Sequence, residues 1–256
     1  MSNQWSKIYN QKNFHRNLNS LKAVILAKKK SLSYKKLSFE LFKIMNPQSN
    51  SSSLYKSFLD FMNFIKINTK IKAKDILFDY GSGNGATLLY LVNKYKIQNY
   101  KSFDVNKYFV KVQKKILNPK NIKRIQPGNN INLKTNSVDW TISNAVLHCL
   151  DNKEQVKKLI NQFINISKKG LFISDIFNPN YKDKFINYQR NRQNLSIKEY
   201  KKKYKKTPHL YFNKIFWNFL KKNNKIKKIK FINMPKSFYD SQFGRYSILV
   251  NLKKKC

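Results

Sequence analysis

The chain is poor in cysteine: two occur in 256 residues, Cys149 and Cys256. That excludes a disulfide scaffold and a multi-cysteine zinc site, and no metal is expected. It also lacks any run approaching the roughly 18 to 20 apolar residues of a membrane span. The apolar stretch Ala23 to Ala27 is too short for a signal-peptide core and runs into Lys28, Lys29 and Lys30. Acidic residues are scarce too, 12 against 53 basic ones, for a net charge of +41. With 41% hydrophobic and 14% aromatic residues this is still not a disordered basic tail. The expectation is a globular cytoplasmic protein.

Arginine is the scarce member of the basic pair. Only Arg16, Arg124, Arg190, Arg192 and Arg245 occur, whereas a dedicated reader of phosphates and guanine edges uses more of it. Lysine, asparagine and isoleucine, all with AT-rich codons, are over-used, and lysine runs recur along the whole chain. Drift of a solvated surface under an AT-rich genome therefore stands ahead of a nucleic-acid footprint. Attraction to acidic partners at low salt remains a physical consequence of the charge.

Residues 1–70 read as a helical extension. Ser33 precedes Leu37, Leu41 and Ile44 at helical spacing, and Pro47 ends that segment. Leu54, Phe58, Phe61, Met62 and Ile65 form a second apolar stripe. Beyond Asp75 strand and helix alternate. Strands are expected at Ile76 to Tyr80, Tyr100 to Asp104, Ile122 to Gln126, Val138 to Ser143 and Leu171 to Phe177. The intervening helices carry Leu88, Leu89, Leu91 and Val92; Phe109, Val112, Ile116 and Leu117; and Val156, Leu159, Ile160 and Phe163. Asp151 with Glu154 is expected to start the third helix and Gly170 to close that region. Two terminal strands, Ile226 to Ile232 and Tyr246 to Leu252, point to an antiparallel edge pair. The fold class is α/β, a doubly wound, mostly parallel sheet covered on both faces. The domain is taken as 71–256, with a lysine-, tyrosine- and asparagine-rich insertion at about 178–211 in which Ser196 and Glu199 form a capping box.

The sharpest signal is Asp79-Tyr80-Gly81-Ser82-Gly83-Asn84-Gly85, where a strand ends and a helix begins. Glycines there let backbone amides approach a ligand, and the helix N-terminus favours an anionic group. Spacing alone leaves a nicotinamide dinucleotide open. Asp79 decides against it, because a carboxylate beside the turn suits a ligand bearing an ammonium group and repels a pyrophosphate. Asp104, ending the next strand, can accept hydrogen bonds from both ribose hydroxyls.

These residues resemble the class I S-adenosylmethionine-dependent methyltransferases. The family's acid-x-Gly-x-Gly-x-Gly motif is matched at Asp79, Gly81, Gly83 and Gly85, and its second acid by Phe103-Asp104-Val105. Gly128-Asn129 stands where the family often has Gly-Asp. The segments Ser137 to Trp140 and Ser143 to His148 look like its fourth strand and following turn. The resemblance implies a seven-stranded sheet with an antiparallel last strand and S-adenosylmethionine as cofactor. It implies contacts from Asp79, Gly81, Ser82, Gly83, Gly85, Asp104, Val105, Asn129 and Asn144, with Asn129 toward the adenine. Trp5 and Tyr9 either fold over the cofactor or anchor the first helix.

His148, following strand four, is the first candidate for a base that deprotonates a hydroxyl acceptor; a structural histidine is the alternative. His209 and Asp175 are weaker candidates, and Cys149 reads as a small buried hydrophobe. The Asn/Asp-Pro-Pro-Tyr/Phe signature of exocyclic-amine methylases is missing after strand four, and Asn178-Pro179-Asn180-Tyr181 reads as a turn. The Pro-Cys pair of RNA cytosine-C5 methylases is missing as well. Tyr181, Tyr188, Tyr200 and Tyr204 among lysines either stack on bases or bury one face as a cap over an acceptor pocket; the helical spacing of Ile197, Tyr200 and Tyr204 favours the cap. The stretch Phe238 to Tyr246 resembles the tails of methyltransferases of surface-glycan synthesis. O-methylation of a small molecule, such as a sugar or glycan precursor, is therefore the expected activity. RNA methylation and a non-catalytic cofactor-binding module are the alternatives.

Overall fold

The computed structural model describes residues 15–46, 51–126, 130–205, 209–238 and 241–253. Trp5, Tyr9, Pro47, Gly128, Asn129, Tyr239 and Cys256 lie outside them. Three helices come first: α1 (His15–Lys29), α2 (Tyr34–Met45) and α3 (Ser51–Thr69). Ser33 caps α2 by accepting the amide of Lys36. The stripe on α3 is core: Leu54, Phe58, Phe61, Met62 and Ile65 are all buried, each phenylalanine stabilising the fold by about 1.5–3 kcal/mol. Phe58 packs on Phe42 of α2, and Phe64 meets the ring of Phe172, which seats α3 against the sheet.

The sheet has seven strands: β1 (Ile76–Tyr80), β2 (Asn99–Asp104), β3 (Ile122–Arg124), β4 (Val138–Asn144), β5 (Ser167–Ile176), β6 (Ile226–Asn233) and β7 (Tyr246–Leu252). Their order is β3-β2-β1-β4-β5-β7-β6, with β7 antiparallel to both its neighbours and β1 to β5 parallel. Helices α4 (Ala86–Lys94), α5 (Lys107–Ile116) and α6 (Lys153–Ile166) make the crossovers. One apolar core joins α1 to α5 on one face; the other joins α6 and the 3₁₀ helix Lys214–Lys222 through Phe163, Trp217 and Leu220. The chain direction of winding reverses between β1 and β4, and the crevice at the carboxyl ends of such strands is where open α/β sheets take ligands. β6 is an edge strand whose Lys227, Lys228 and Lys230 are exposed, which discourages pairing with another chain.

Three local expectations change. Gly170 does not close a helix. It lies inside β5, where an added Cβ would come 2.3 Å from the Val250 carbonyl oxygen and 2.7 Å from the Trp140 ring, so the glycine serves close strand packing. Helix α6 is capped by Asn152, which accepts the Gln155 amide, and not by Asp151. In the insertion, α7 (Lys182–Arg192) precedes α8 (Ile197–Tyr204), and α8 has the expected Ser196–Glu199 capping box. Tyr200 is buried there, whereas Ile197 is 45% exposed, so the apolar face of α8 is narrower than its spacing implies.

Candidate functional site

The turn between β1 and α4 holds three of the six glycines of the chain, Gly81, Gly83 and Gly85. All three have positive φ. At Gly81 a second constraint acts, since a Cβ would fall 2.2 Å from Cγ2 of Val146, beyond the end of β4. The Gly81 amide donates to the Phe103 carbonyl at 2.8 Å, which ties the turn to β2. Gly83 lies over the side chain of Met45 at the end of α2.

Two buried carboxylates flank this turn. Asp104 is held by amides on both oxygens, from Gly83 at 2.7 Å and Asn106 at 2.8 Å. Burial pushes its carboxyl up to about 6, against the lowering effect of those amides. Asp79 is less well satisfied: its Oδ2 is buried without a hydrogen-bond partner. Burial, joined by the neighbouring Asp104 charge, pushes the Asp79 carboxyl up to about 8. A buried carboxylate in this state gains most from a cationic donor. Val105 and Asn144 are half-buried, and Asn144 accepts from the Ser174 hydroxyl at 2.8 Å.

Several supports were not legible beforehand. Gln113 of α5 donates to the Ser82 hydroxyl at 2.9 Å and the Gly83 carbonyl at 2.6 Å, so one side chain pins the glycine turn. A buried polar residue within the Phe109–Val112–Ile116 stripe is the signal that points to it. Asn84 donates to Ser20 of α1 and to the Leu41 carbonyl of α2. Asn106, which caps α5, donates to Asn17 of α1 at 2.8 Å. Asn17 and Ser20 are fully buried, so α1 lies across the two turns that follow β1 and β2.

A second group of side chains forms beyond β4 and β5. His148 sits in the 3₁₀ turn Leu147–Cys149, is 8% exposed, and stacks on Phe177 with ring centroids 4.1 Å apart. The Leu210 amide donates to the His148 carbonyl at 3.0 Å, which brings His209 within 4.9 Å of His148, ring to ring. Nδ1 of His148 is buried without a hydrogen-bond partner. Burial, then His209 and Arg245, holds the His148 imidazole well below its ordinary value; burial and Arg245 lower His209 to about 4. Both shifts favour the neutral imidazole. Asp175 is engaged in a buried ion pair with Arg245 at 2.5 Å, and the guanidinium lies 3.8 Å from the Phe177 centroid. Ala145 and Asp175, at the ends of β4 and β5, adopt left-handed backbone, a costly geometry that concentrates at functional turns. Cys149 is half-buried, not the buried hydrophobe expected. Phe185 of α7 packs on Phe177 and Phe243, so the insertion covers this group.

Residues 78–173 match the family model described as a methyltransferase domain. No curated protein matches the chain. Among solved structures, geranyl diphosphate C-methyltransferase from Streptomyces coelicolor A3(2), bound to S-adenosyl-L-homocysteine, is similar at 8% identity. That match spans 78% of this chain and 77% of the other, with a TM-score of 0.53. Magnesium protoporphyrin IX methyltransferase from Synechocystis PCC 6803 is 12% identical over 81% of this chain and 89% of its own, with a TM-score of 0.51. A methyltransferase from Methanosarcina mazei is 15% identical over 74% and 97%, with a TM-score of 0.50. At such identities the likeness is one of fold.

Proposed function

We propose that this chain, a class I S-adenosylmethionine-dependent methyltransferase, methylates a hydroxyl of a small molecule, a sugar or glycan precursor in first place. When bound, S-adenosylmethionine supplies a methyl group activated by its sulfonium. The residues fit it: Asp79 offers an unsatisfied buried oxygen to an ammonium group, and Gly81, Gly83 and Gly85 keep the turn free of side chains. Asp104 accepts from the amides of Gly83, Asn106 and Val105, and its two oxygens keep a lone pair to offer a ribose hydroxyl. Ser82, Val105 and Asn144 line the same strand ends, and Asn129 is assigned to the adenine. No helix among the described residues is long and apolar enough to cross a membrane; a cytoplasmic location belongs to the same proposal. So does the division into an extension at 1–70 and a catalytic domain at 71–256 whose insertion caps the acceptor.

His148 carries the acceptor half of the reading. Its neutral, buried Nδ1 has no protein partner, and Val146, two residues earlier, packs against Gly81. An acceptor hydroxyl placed against that nitrogen can give up its proton as the new bond forms; because its surroundings lower the basicity of the ring, the contribution is expected at the lower end of about 10²–10⁴ in rate. Asp175 then positions Arg245 instead of acting on the acceptor, and His209 borders the imidazole. Methyl transfer into a metabolite extract, followed by mass spectrometry, tests this. His148→Ala is expected to lose about 10²–10⁴ in turnover while cofactor affinity stays within about twofold. Intact turnover overturns the base assignment. Cofactor uptake with no methylated product from any acceptor class leaves a binding module, and nanomolar RNA affinity that survives physiological salt points to RNA methylation.

A further inference from the structure

His148, Cys149 and His209 each bring a metal-ligating atom into one cluster, all within 4.8 Å of one another, so a small side-chain adjustment closes them on a tetrahedral ion. The first two are adjacent on the turn after β4; the third comes from the far end of the insertion, held there by the Leu210–His148 backbone hydrogen bond. Sequence spacing gives no hint of this, since two cysteines and three histidines scattered through the chain match no zinc motif. We propose that this trio is a binding site for a thiophilic divalent cation, Zn²⁺, with two imidazoles and one thiolate as ligands.

Four observations carry the assignment. The donor set is two nitrogens and one sulfur, which suits zinc and is wrong for calcium or magnesium. His148 is 8% exposed and its buried Nδ1 has no hydrogen-bond partner, so the ring carries a nitrogen that a ligand would satisfy. The surroundings are aromatic: His148 is stacked on Phe177, and His209 lies against Phe177 and Phe185 at 5.1 and 6.2 Å between centroids. The nearby guanidinium of Arg245 is neutralised by Asp175, which limits its repulsion of a cation. Three protein ligands leave a tetrahedral ion one position for water.

The test is separate from methyl transfer, because the ion is measured with neither cofactor nor acceptor present; zinc held by the nitrogen of His148 that is assigned as the base would exclude that role, so the two readings compete at this ring. Untagged, chelator-treated full-length protein is titrated with Zn²⁺ against a chromophoric chelator and with Co²⁺ by absorption spectroscopy. One equivalent of tight Zn²⁺ is expected, with a thiolate-to-cobalt charge-transfer band and the intense visible bands of a four-coordinate ion. Cys149→Ser, near-isosteric, is expected to remove the charge-transfer band and weaken Zn²⁺ by at least about tenfold, and His209→Gln to weaken it similarly. Cys256→Ser is expected to change neither. Binding that Cys149→Ser leaves unaltered, a charge-transfer band that disappears with Cys256, or weak six-coordinate Co²⁺ without the band overturns the site. Slower alkylation of Cys149 when Zn²⁺ is added supports it where a variant folds poorly, and an unchanged rate counts against it.

Discussion

The two halves of the site are built differently. The half proposed for the cofactor comes from one continuous stretch, strand, glycine turn, helix and next strand, and its supporting bonds run between neighbours such as Gly81 and Phe103 or Asp104 and Gly83. The half beyond β4 and β5 is assembled from His148, Asp175, His209 and Arg245, which meet only after the insertion folds back and β7 joins the sheet. A local motif survives as a pattern in the chain. A site made of distant segments does not, because burial and ring contacts decide which side chains meet.

That contrast is open to direct attack. The largest effect is expected from Arg245→Met, which leaves the buried Asp175 carboxylate unpaired and should destabilise the fold by about 3–5 kcal/mol in denaturant titration. Adding Asp175→Asn should recover most of it, since asparagine tolerates left-handed backbone; no recovery would mean that packing on Phe177 matters more than the pair. Gly81→Ala should cost roughly 2–4 kcal/mol, from contact with Val146 and from a φ of +71. Val146→Ala should return the steric share only, and full rescue would contradict the backbone account.

Asp79→Asn separates binding from stability. Loss of the carboxylate should weaken S-adenosyl-L-homocysteine binding by calorimetry about 10- to 100-fold, as for a charged hydrogen bond worth about 1.5–3 kcal/mol. The ligand-free protein should nevertheless become more stable. Burial, and then the Asp104 charge, push the folded carboxyl of Asp79 up to about 8 from its ordinary 3.8. The folded state therefore holds a proton that the unfolded chain gives up, and stability present below about 4 is lost as pH rises toward 8. Melting temperature without ligand should thus fall between pH 5 and pH 8 in the native protein and fall less in Asp79→Asn. A parallel decline in both would remove Asp79 as the cause. The smallest effect is expected at Gln113→Leu, about 1 kcal/mol or fivefold in cofactor affinity, through the loosened Ser82 and Gly83 contacts.

Most strand positions follow from alternation of apolar runs, and the buried stripe on α3 and the terminal antiparallel pair lie where periodicity puts them. Boundaries moved where a partner overrode local preference. Gly170 looks like a helix terminator until Trp140 and Val250 close on it, and Asn152 captures the cap that Asp151 seemed to hold. Gln113, Asn84 and Asn106 bind the turns together through contacts to distant residues, which no spacing rule encodes.

By itself the chain determined an α/β sheet and a glycine turn flanked by acids at 79 and 104, because short-range backbone geometry demands glycine there and leaves little choice. Only the tertiary structure decided that Asp79 is left unsatisfied, that Arg245 belongs to Asp175, and that His148 faces His209. The reason is solvent exclusion: the charge and the hydrogen-bonding state of a side chain follow from what is packed around it, and that is known only when the segments have closed.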